Sequence, residues 1–442
     1  MPTSLCRACG ATIQALTSES TGGFCFPCAK WFQSAPDEAE TITREGTTKQ
    51  LAAFRQHCLG KVGATRDPLE ANDYRILAEF LGSFASLVGR GRLPVVLLRC
   101  KDHTREQLQA STHAVRLSDR MHWSNLDGWN WTEVLLDGSL DEALLRDLID
   151  DSYELARESL DDEKKLCLEL LAKELPPEEL LDELLKKFGL SRRRDQILAA
   201  ARSAFLACSS AADDGVPIGI SKLGGLPGLP GGVDWPTYED GRPLAFLSQL
   251  NLSELPADSE LPGSGMLWFF SVFGWQTEDE ADPQLPGKKY DNSWTKVFYS
   301  EATSEELKRI SPPSDVTLYG EARLEFFSMT CLPAIANEQP LAKLKWNSET
   351  KAKYGMVVSN YNMACLQRRA NPARNLVLGY ADFLERFVRK VAKDDLQLLF
   401  QLASDPNAKM SWGDDGYIYF WIAKKDLAVA NFSQILTDYQ CA

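Results

Sequence analysis

The sequence predicts an α+β multidomain chain, and three observations carry that expectation. At 442 residues the chain exceeds what one core sustains, so two to four domains are expected. Four cysteines in two close pairs stand within the first thirty residues, which marks a small separate module. From Ile218 the texture changes to short apolar runs broken by Gly and Pro, the pattern of a β-rich region. Composition agrees: 44% of residues are hydrophobic and 25% charged, as in ordinary globular chains.

Cys6-Arg7-Ala8-Cys9 and Cys25-Phe26-Pro27-Cys28 have the C-x2-C…C-x2-C spacing of a zinc ribbon, expected over residues 1–33. Two residues between thiolates let each pair turn back as a knuckle. Two knuckles complete a tetrahedron around one Zn2+ at about 2.3 Å per bond. Gly10 and Gly22-Gly23 supply permissive backbone beside the pairs. Four thiolates leave no open coordination position, so the expected zinc is structural. A stretch this short buries too little to fold alone, and metal binding must supply the difference. Phe24, Phe26, Trp31 and Phe32 read as a mini-core with a docking edge. Only Arg7 and Lys30 face Glu19 in charge, so a protein contact is expected there rather than a nucleic acid.

The formal net charge of −14 argues against non-specific adhesion to nucleic acid or anionic lipid, which depends on phosphate neutralisation. Twelve of the acidic residues lie between Glu133 and Glu163 against Arg146 and Arg157 alone. That stretch reads as a solvated helix face, with an acidic docking surface as the alternative. No leader-like apolar segment opens the chain, and no run approaches the eighteen or so apolar residues of a membrane span. Eleven cysteines, an odd number and mostly isolated, fit a reducing compartment. A cytoplasmic protein is the expectation.

Residues 34–50 are polar and acidic and read as a linker. An α+β segment follows over 51–160. Leu51 to Cys58 and Asp73 to Val88 show helical apolar spacing, the latter through Leu77, Phe80, Leu81, Phe84 and Leu87. Leu93 to Cys100 reads as a strand. Then come Met121-His122-Trp123, Trp129-Asn130-Trp131-Thr132-Glu133-Val134, and a helix bearing Ser152-Tyr153-Glu154-Leu155. Residues 94–160 resemble the C-terminal half of the MmcQ/YjbR family, where a tryptophan-containing strand pairs with a Ser-Tyr-x-Leu helix. Residues 161–194 read as a helical connector. Pro176-Pro177-Glu178-Glu179 suits a helix start and Gly189 a stop, while Ser191 is placed to cap a helix opened by Arg192-Arg193-Arg194.

The β-rich domain is expected over 195–442. Ser221-Lys222-Leu223-Gly224-Gly225-Leu226-Pro227-Gly228, Trp235-Pro236, Phe246-Leu247-Ser248-Gln249-Leu250 and Gly265-Met266-Leu267-Trp268-Phe269-Phe270 follow in order. The tail adds Leu378-Gly379-Tyr380, Leu399-Phe400-Gln401-Leu402 and Trp412-Gly413-Asp414-Asp415-Gly416-Tyr417. These segments resemble the YwqG-like family, bacterial domains of unknown function. Ala381 stands where that family carries proline, and Ala403-Ser404 where it often has Asp. Gln249 with Gln401, Gly265 with Gly416 and Gly225 with Gly379 are each about 152 residues apart. Two related halves across a pseudo-two-fold are therefore expected. A mid-strand glutamine can satisfy buried backbone groups, or two could line a shared cleft.

Catalytic machinery is hard to assemble from this sequence. All four histidines precede Trp123, so the C-terminal domain lacks a histidine base. Cys331 and Cys365 stand in apolar company and read as core. Asp414-Asp415-Gly416 reads as a hairpin turn with glycine at positive φ. The leading expectation is a binding or adaptor protein acting through protein contacts, with toxin neutralisation as a special case. The alternative is an enzyme or small-ligand receptor in which Lys222, Gln249, Gln401 and Asp414 converge in a cleft between the halves, Lys222 serving as an anion contact.

Overall fold

The computed structural model describes residues 3–5, 12–14, 44–66, 73–77, 83–90, 93–101, 104, 106–108, 112, 114–117, 131–212, 215–272, 295–313, 316–335, 341, 344–369, 373–382, 395–413 and 416–441. Two compact units divide the chain, Met1–Lys173 and Glu174–Ala442.

In the first unit, β1 (Thr3–Leu5) and β2 (Thr12–Gln14) form an antiparallel ribbon. Helix α1 (Arg44–Leu59) starts inside the expected linker. Strands β3 (Ala64–Arg66), β4 (Asp73–Ile76), β5 (Ser83–Arg90), β6 (Leu93–Arg99), β7 (Val115–Leu117) and β8 (Trp131–Leu135) make an antiparallel sheet in the order β3-β4-β5-β6-β8-β7. The helix expected from Asp73 to Val88 is therefore two strands. Leu77 takes φ +57, which a right-handed helix cannot contain. Ser83, Phe84, Ala85 and Ser86 are buried in succession, and a strand covered on both faces shows no alternation in its sequence.

Helix α2 (Glu142–Ser159) follows, with Asp141 at its N-cap accepting from the Ala143 and Leu144 N–H groups. Leu145, Leu148, Ile149, Ser152, Tyr153, Leu155 and Ala156 are its buried residues, so the acidic side chains between them lie on the solvated side. The Ser152-Tyr153 pair fastens this helix to its surroundings. Ser152 Oγ donates to the Phe84 carbonyl and accepts from the Arg99 N–H at 2.7 Å, and Tyr153 donates to the Val62 carbonyl at 2.8 Å. Helix α3 (Asp162–Ala172) ends this unit.

The second unit opens with α4 (Pro177–Lys187), stopped by Gly189 at φ +69. Ser191 begins a 3₁₀ turn rather than capping a long helix, and α5 (Arg194–Ala200) is only seven residues. Arg194, one of the three adjacent arginines, pairs with Asp182 of α4 at 2.6 Å. That contact supplies the acidic neighbour which its place at a helix start calls for.

The rest is built on β9 (Arg202–Ala211), β10 (Lys222–Leu223), β11 (Gly228–Pro230), β12 (Ala245–Asn251), β13 (Met266–Ser271), β14 (Thr295–Ser300), β15 (Leu307–Arg309), β16 (Ala322–Cys331), β17 (Asn375–Leu378), β18 (Leu396–Ala403), β19 (Tyr417–Ala423) and β20 (Ile435–Gln440). Helices α6 (Ser348–Gln367) and α7 (Lys424–Leu427) lie between strands in the sequence. Ten strands form one antiparallel sheet in the order β14-β13-β12-β10-β16-β9-β17-β18-β19-β20, and β11 pairs with β15 separately. The sheet curls until its edges nearly meet: Thr295 of β14 and Thr437 of β20 touch through hydroxyls 2.7 Å apart. Phe269, Phe400 and Phe420 fill the interior with ring centroids 4.8 to 6.1 Å apart. Each is fully buried, and removing one such ring costs about 3–5 kcal/mol.

The two halves of this sheet repeat one another in detail. β12 and β18 each carry a register shift, between Phe246 and Ser248 and between Leu398 and Phe400. Cys208 of β9 faces Glu325 of β16 at the centre, and on either side of this pair the same number of strands follows. Each half lends its first strand to the other: β9 is flanked by β16 and β17, and β16 by β10 and β9.

Candidate functional site

Gln249 and Gln401 occupy matching places. The Gln249 side chain accepts from the Gly228 N–H at 3.0 Å and donates to the Ile220 carbonyl at 2.8 Å. Gln401 accepts from the Asp382 N–H at 2.8 Å and donates to the Arg374 carbonyl at 2.9 Å. Trp268, opposite Gln249, donates to the Gly228 carbonyl, and Tyr419, opposite Gln401, donates to that of Asp382. Each glutamine pins a returning segment to the sheet. Both are buried, with exposures of 1% and 0%. Five strand spacings separate β12 from β18 in either direction around the sheet; Phe269 and Phe400 meet inside it, so Trp268 with Gln249 and Gln401 with Tyr419, one residue out of phase, face outward on opposite walls. The structure thus holds the two amides apart rather than in a common cleft.

Lys222 is 2% exposed and donates to the Leu226 carbonyl at 2.5 Å and to Glu321, which also receives Arg309 at 3.1 Å. Burial pulls the Lys222 ammonium below its ordinary value, with Glu321 opposing the shift. Burial pushes the Glu321 carboxyl up, but Lys222, the Val216 N–H and Arg309 outweigh it and hold it below 4.5. Lys222 is thus engaged by an internal carboxylate. A carboxyl depressed in the folded state adds stability that is present above its unfolded value and lost as pH falls through its folded one. Glu321→Gln should therefore flatten the fall in urea midpoint below about pH 4.5 relative to the parent. Burial raises the Asp405 carboxyl, which acts in the opposite direction but equally in both proteins, so the comparison isolates Glu321.

The second half carries its own ion pair, the buried Arg374 with the half-buried Asp382. Burial disfavours the Arg374 charge, yet Asp382 leads the groups that keep it above its ordinary value. Burial pushes the Cys331 thiol up to about 11 and also raises that of Cys365, so both are core thiols poor in thiolate.

Surface-accessible polar groups collect at one end of the sheet. One cavity of about 450 Å³ is lined by Arg202, Ser203, Glu260, Leu378, Gly379, Gln397, Leu398, Lys424, Leu427 and Ala428. Another of about 620 Å³ is lined by Pro176, Pro177, Glu178, Glu179, Leu198, Ala201, Asp258, Ser328, Met329, Thr330 and again Arg202 and Ser203. Sharing Arg202 and Ser203, the two cavities adjoin as a groove lined from β16, β9, β17 and β18, four adjacent strands. Its floor contains Leu378 and Gly379, both left-handed at φ +62 and +81, the first a conformation that a leucine holds only under tertiary constraint. The Arg202 guanidinium lies over the Tyr380 ring at 4.3 Å. Three of the polar contacts here are long: Arg202 to the Gly379 carbonyl at 3.5 Å, Ser203 to Asp258 at 3.4 Å and Gln397 to Glu260 at 3.4 Å. Bonds at that length are weak and readily exchanged for those of a ligand.

Lys222 and Gln249 are opposed on adjacent strands, whereas Gln401 is remote from both and Asp414 lies outside the described residues. So do Cys6, Cys9, Cys25 and Cys28. Among the described residues no group of three or more His, Cys, Asp or Glu side chains is placed to hold a metal ion. Gly416 belongs to a close approach rather than a positive-φ turn, since a Cβ there would stand 2.0 Å from the Trp412 carbonyl. The positive φ, +63, falls at Gly413. Arg202, Gln397 and Lys424 carried no sequence signal: each is an ordinary polar residue near an element start.

No curated protein matches the chain. Residues 221–441, half of its length, match a family described as a domain of unknown function, DUF1963, which is the YwqG-like family. On that match, and with the nearly closed sheet that these residues build, the chain belongs to the DUF1963 family.

Proposed function

We propose that the chain is a cytoplasmic, zinc-containing binding or adaptor protein that works through protein–protein contacts. The groove across β16, β9, β17 and β18 carries this reading: it joins two open cavities at Arg202 and Ser203, is lined by polar groups in weak contacts, and crosses four strands. The alternative of a cleft between the halves draws no comparable support, because Gln249, Gln401 and Lys222 are engaged by backbone or by Glu321. In the first unit, Cys6, Cys9, Cys25 and Cys28 would hold one structural Zn2+. The β1–β2 ribbon supports this, since residues 6–11 with the first cysteine pair connect its two strands, as a knuckle requires. The kinship of residues 94–160 to the MmcQ/YjbR family is part of the same reading, with Ser152 and Tyr153 in a structural role.

Affinity capture from native lysate tests the proposal, with the full-length parent beside a Ser203→Trp variant whose indole fills the groove. A stoichiometric protein retained by the parent and lost by the variant is expected. Capture of no macromolecule would sink the adaptor reading, and a co-purifying small molecule would favour the receptor alternative. Elemental analysis should find one zinc per parent chain, absent after Cys6→Ser with Cys28→Ser. Parent protein purified under reducing, chelator-free conditions without zinc would remove the metal from the reading.

A further inference from the structure

The groove is charged unevenly along its length. Glu178 and Glu179, in the first turn of α4, stand with Asp258 at one end. Lys424, at the start of α7, stands at the other, and Arg202 lies between them and lines both cavities. On the Lys424 side Glu260 and Asp395, the latter paired with Lys424, stand against the two cations, so that end is balanced where the other is acidic. Resting on the adaptor reading above, we propose that this groove binds an extended peptide segment of a protein partner. The segment carries a Lys or Arg over Glu178, Glu179 and Asp258, and an Asp or Glu about four residues away at Arg202 and Lys424.

The spacing follows from the sheet. The cavity lining runs from Ser328, Met329 and Thr330 of β16 to Gln397 and Leu398 of β18, three strand spacings or roughly 14 Å, which an extended chain covers in about four residues. Arg202 rests over the Tyr380 ring, so its guanidinium loses little rotamer freedom on meeting a carboxylate. Lys424 is paired with Asp395 at 2.9 Å, but both side chains are half exposed or more, and such a pair gives way to an incoming carboxylate at little cost. A small anion would use only the cationic end and leave the larger, acidic cavity unused.

Fluorescence anisotropy with the full-length chain tests this at low ionic strength. The probes are labelled synthetic seven-residue peptides with Lys and Glu four positions apart, one Lys-first and one Glu-first. Controls carry Lys at both positions or Glu at both. One mixed peptide should bind at least about tenfold more tightly than either control, with an affinity that falls as salt is added. Glu179→Lys combined with Lys424→Glu should invert the preference between the Lys-first and Glu-first peptides. Mixed peptides that bind no better than controls, or a preference that survives the double swap, would overturn the assignment. A lysate partner that the double-swap variant retains and the Ser203→Trp variant loses would leave the adaptor reading standing while this charge pattern falls.

Discussion

Gly224→Ala should destabilise the second unit by at least about 4 kcal/mol, whereas Gly232→Ala should cost only about 1–2 kcal/mol. Both glycines are left-handed, at φ +55 and +84, so alanine meets comparable backbone strain at each. Their surroundings differ. A Cβ on Gly224 would stand 2.1 Å from the Gly320 carbonyl oxygen, while one on Gly232 has no neighbour within 4 Å. Backbone cannot swing aside as a side chain can, so relief at 224 requires moving the segment that enters β16. The other half provides an internal control: Leu378 holds φ +62 where Gly224 stands in the first half. A left-handed side chain is therefore tolerable in this setting, and the carbonyl contact decides the cost. Equilibrium urea unfolding of both variants would measure the difference. Equal losses would show that the close approach to Gly320 is not maintained in solution.

Gln401→Leu is expected to cost about 3–5 kcal/mol, and Gln249→Leu a similar amount. Leucine fills most of the volume but leaves one buried and one half-buried backbone group without their partners: the Arg374 carbonyl and Asp382 N–H in one case, the Gly228 N–H and Ile220 carbonyl in the other. Each orphaned group carries a desolvation penalty of about 1–3 kcal/mol. For a unit of this size that corresponds to a fall in Tm of roughly 10 °C. The two sites are remote, so the double variant should show the sum of the single losses within about 0.5 kcal/mol. A strong deviation from additivity would mean that the two amides share a site after all. Little loss in either variant would remove the structural role assigned to them.

Local and repeated features were the readable ones. The α4 start at Pro177 and stop near Gly189 depend on chemistry within one turn, and the sequence displays both. The repeat was visible at Gln249 and Gln401 because a polar residue inside an apolar strand stands out in both halves. What eluded the sequence depends on distant partners. Lys222 next to two glycines suggests an anion site until Glu321, about a hundred residues away, closes on it. The segment over 73–88 shows helical spacing, but Leu77 turns left-handed and β5 is covered on both faces, leaving no period of two to read. Arg202 becomes part of a groove only because β16, β9, β17 and β18 end side by side. No periodicity announces that arrangement, since these strands come from positions far apart in the chain.

The exchange of first strands between halves sets a timetable for biosynthesis. β9 finds both of its neighbours, β16 and β17, more than a hundred residues downstream. At roughly 5–20 residues per second, the nascent β9 waits about 10–30 s before β17 has been made. Phe205, Leu206 and Ala207, fully or almost fully buried in the finished domain, lack both sheet partners until β16 is made and one of them until β17 is. An apolar strand with open edges is the kind of segment that aggregates or recruits a holding chaperone. Although the sequence repeats, the first half cannot mature ahead of the second. The seam against β14 stays open until β20 has been translated, so an uncompleted barrel persists on the ribosome from β14 until β20 emerges.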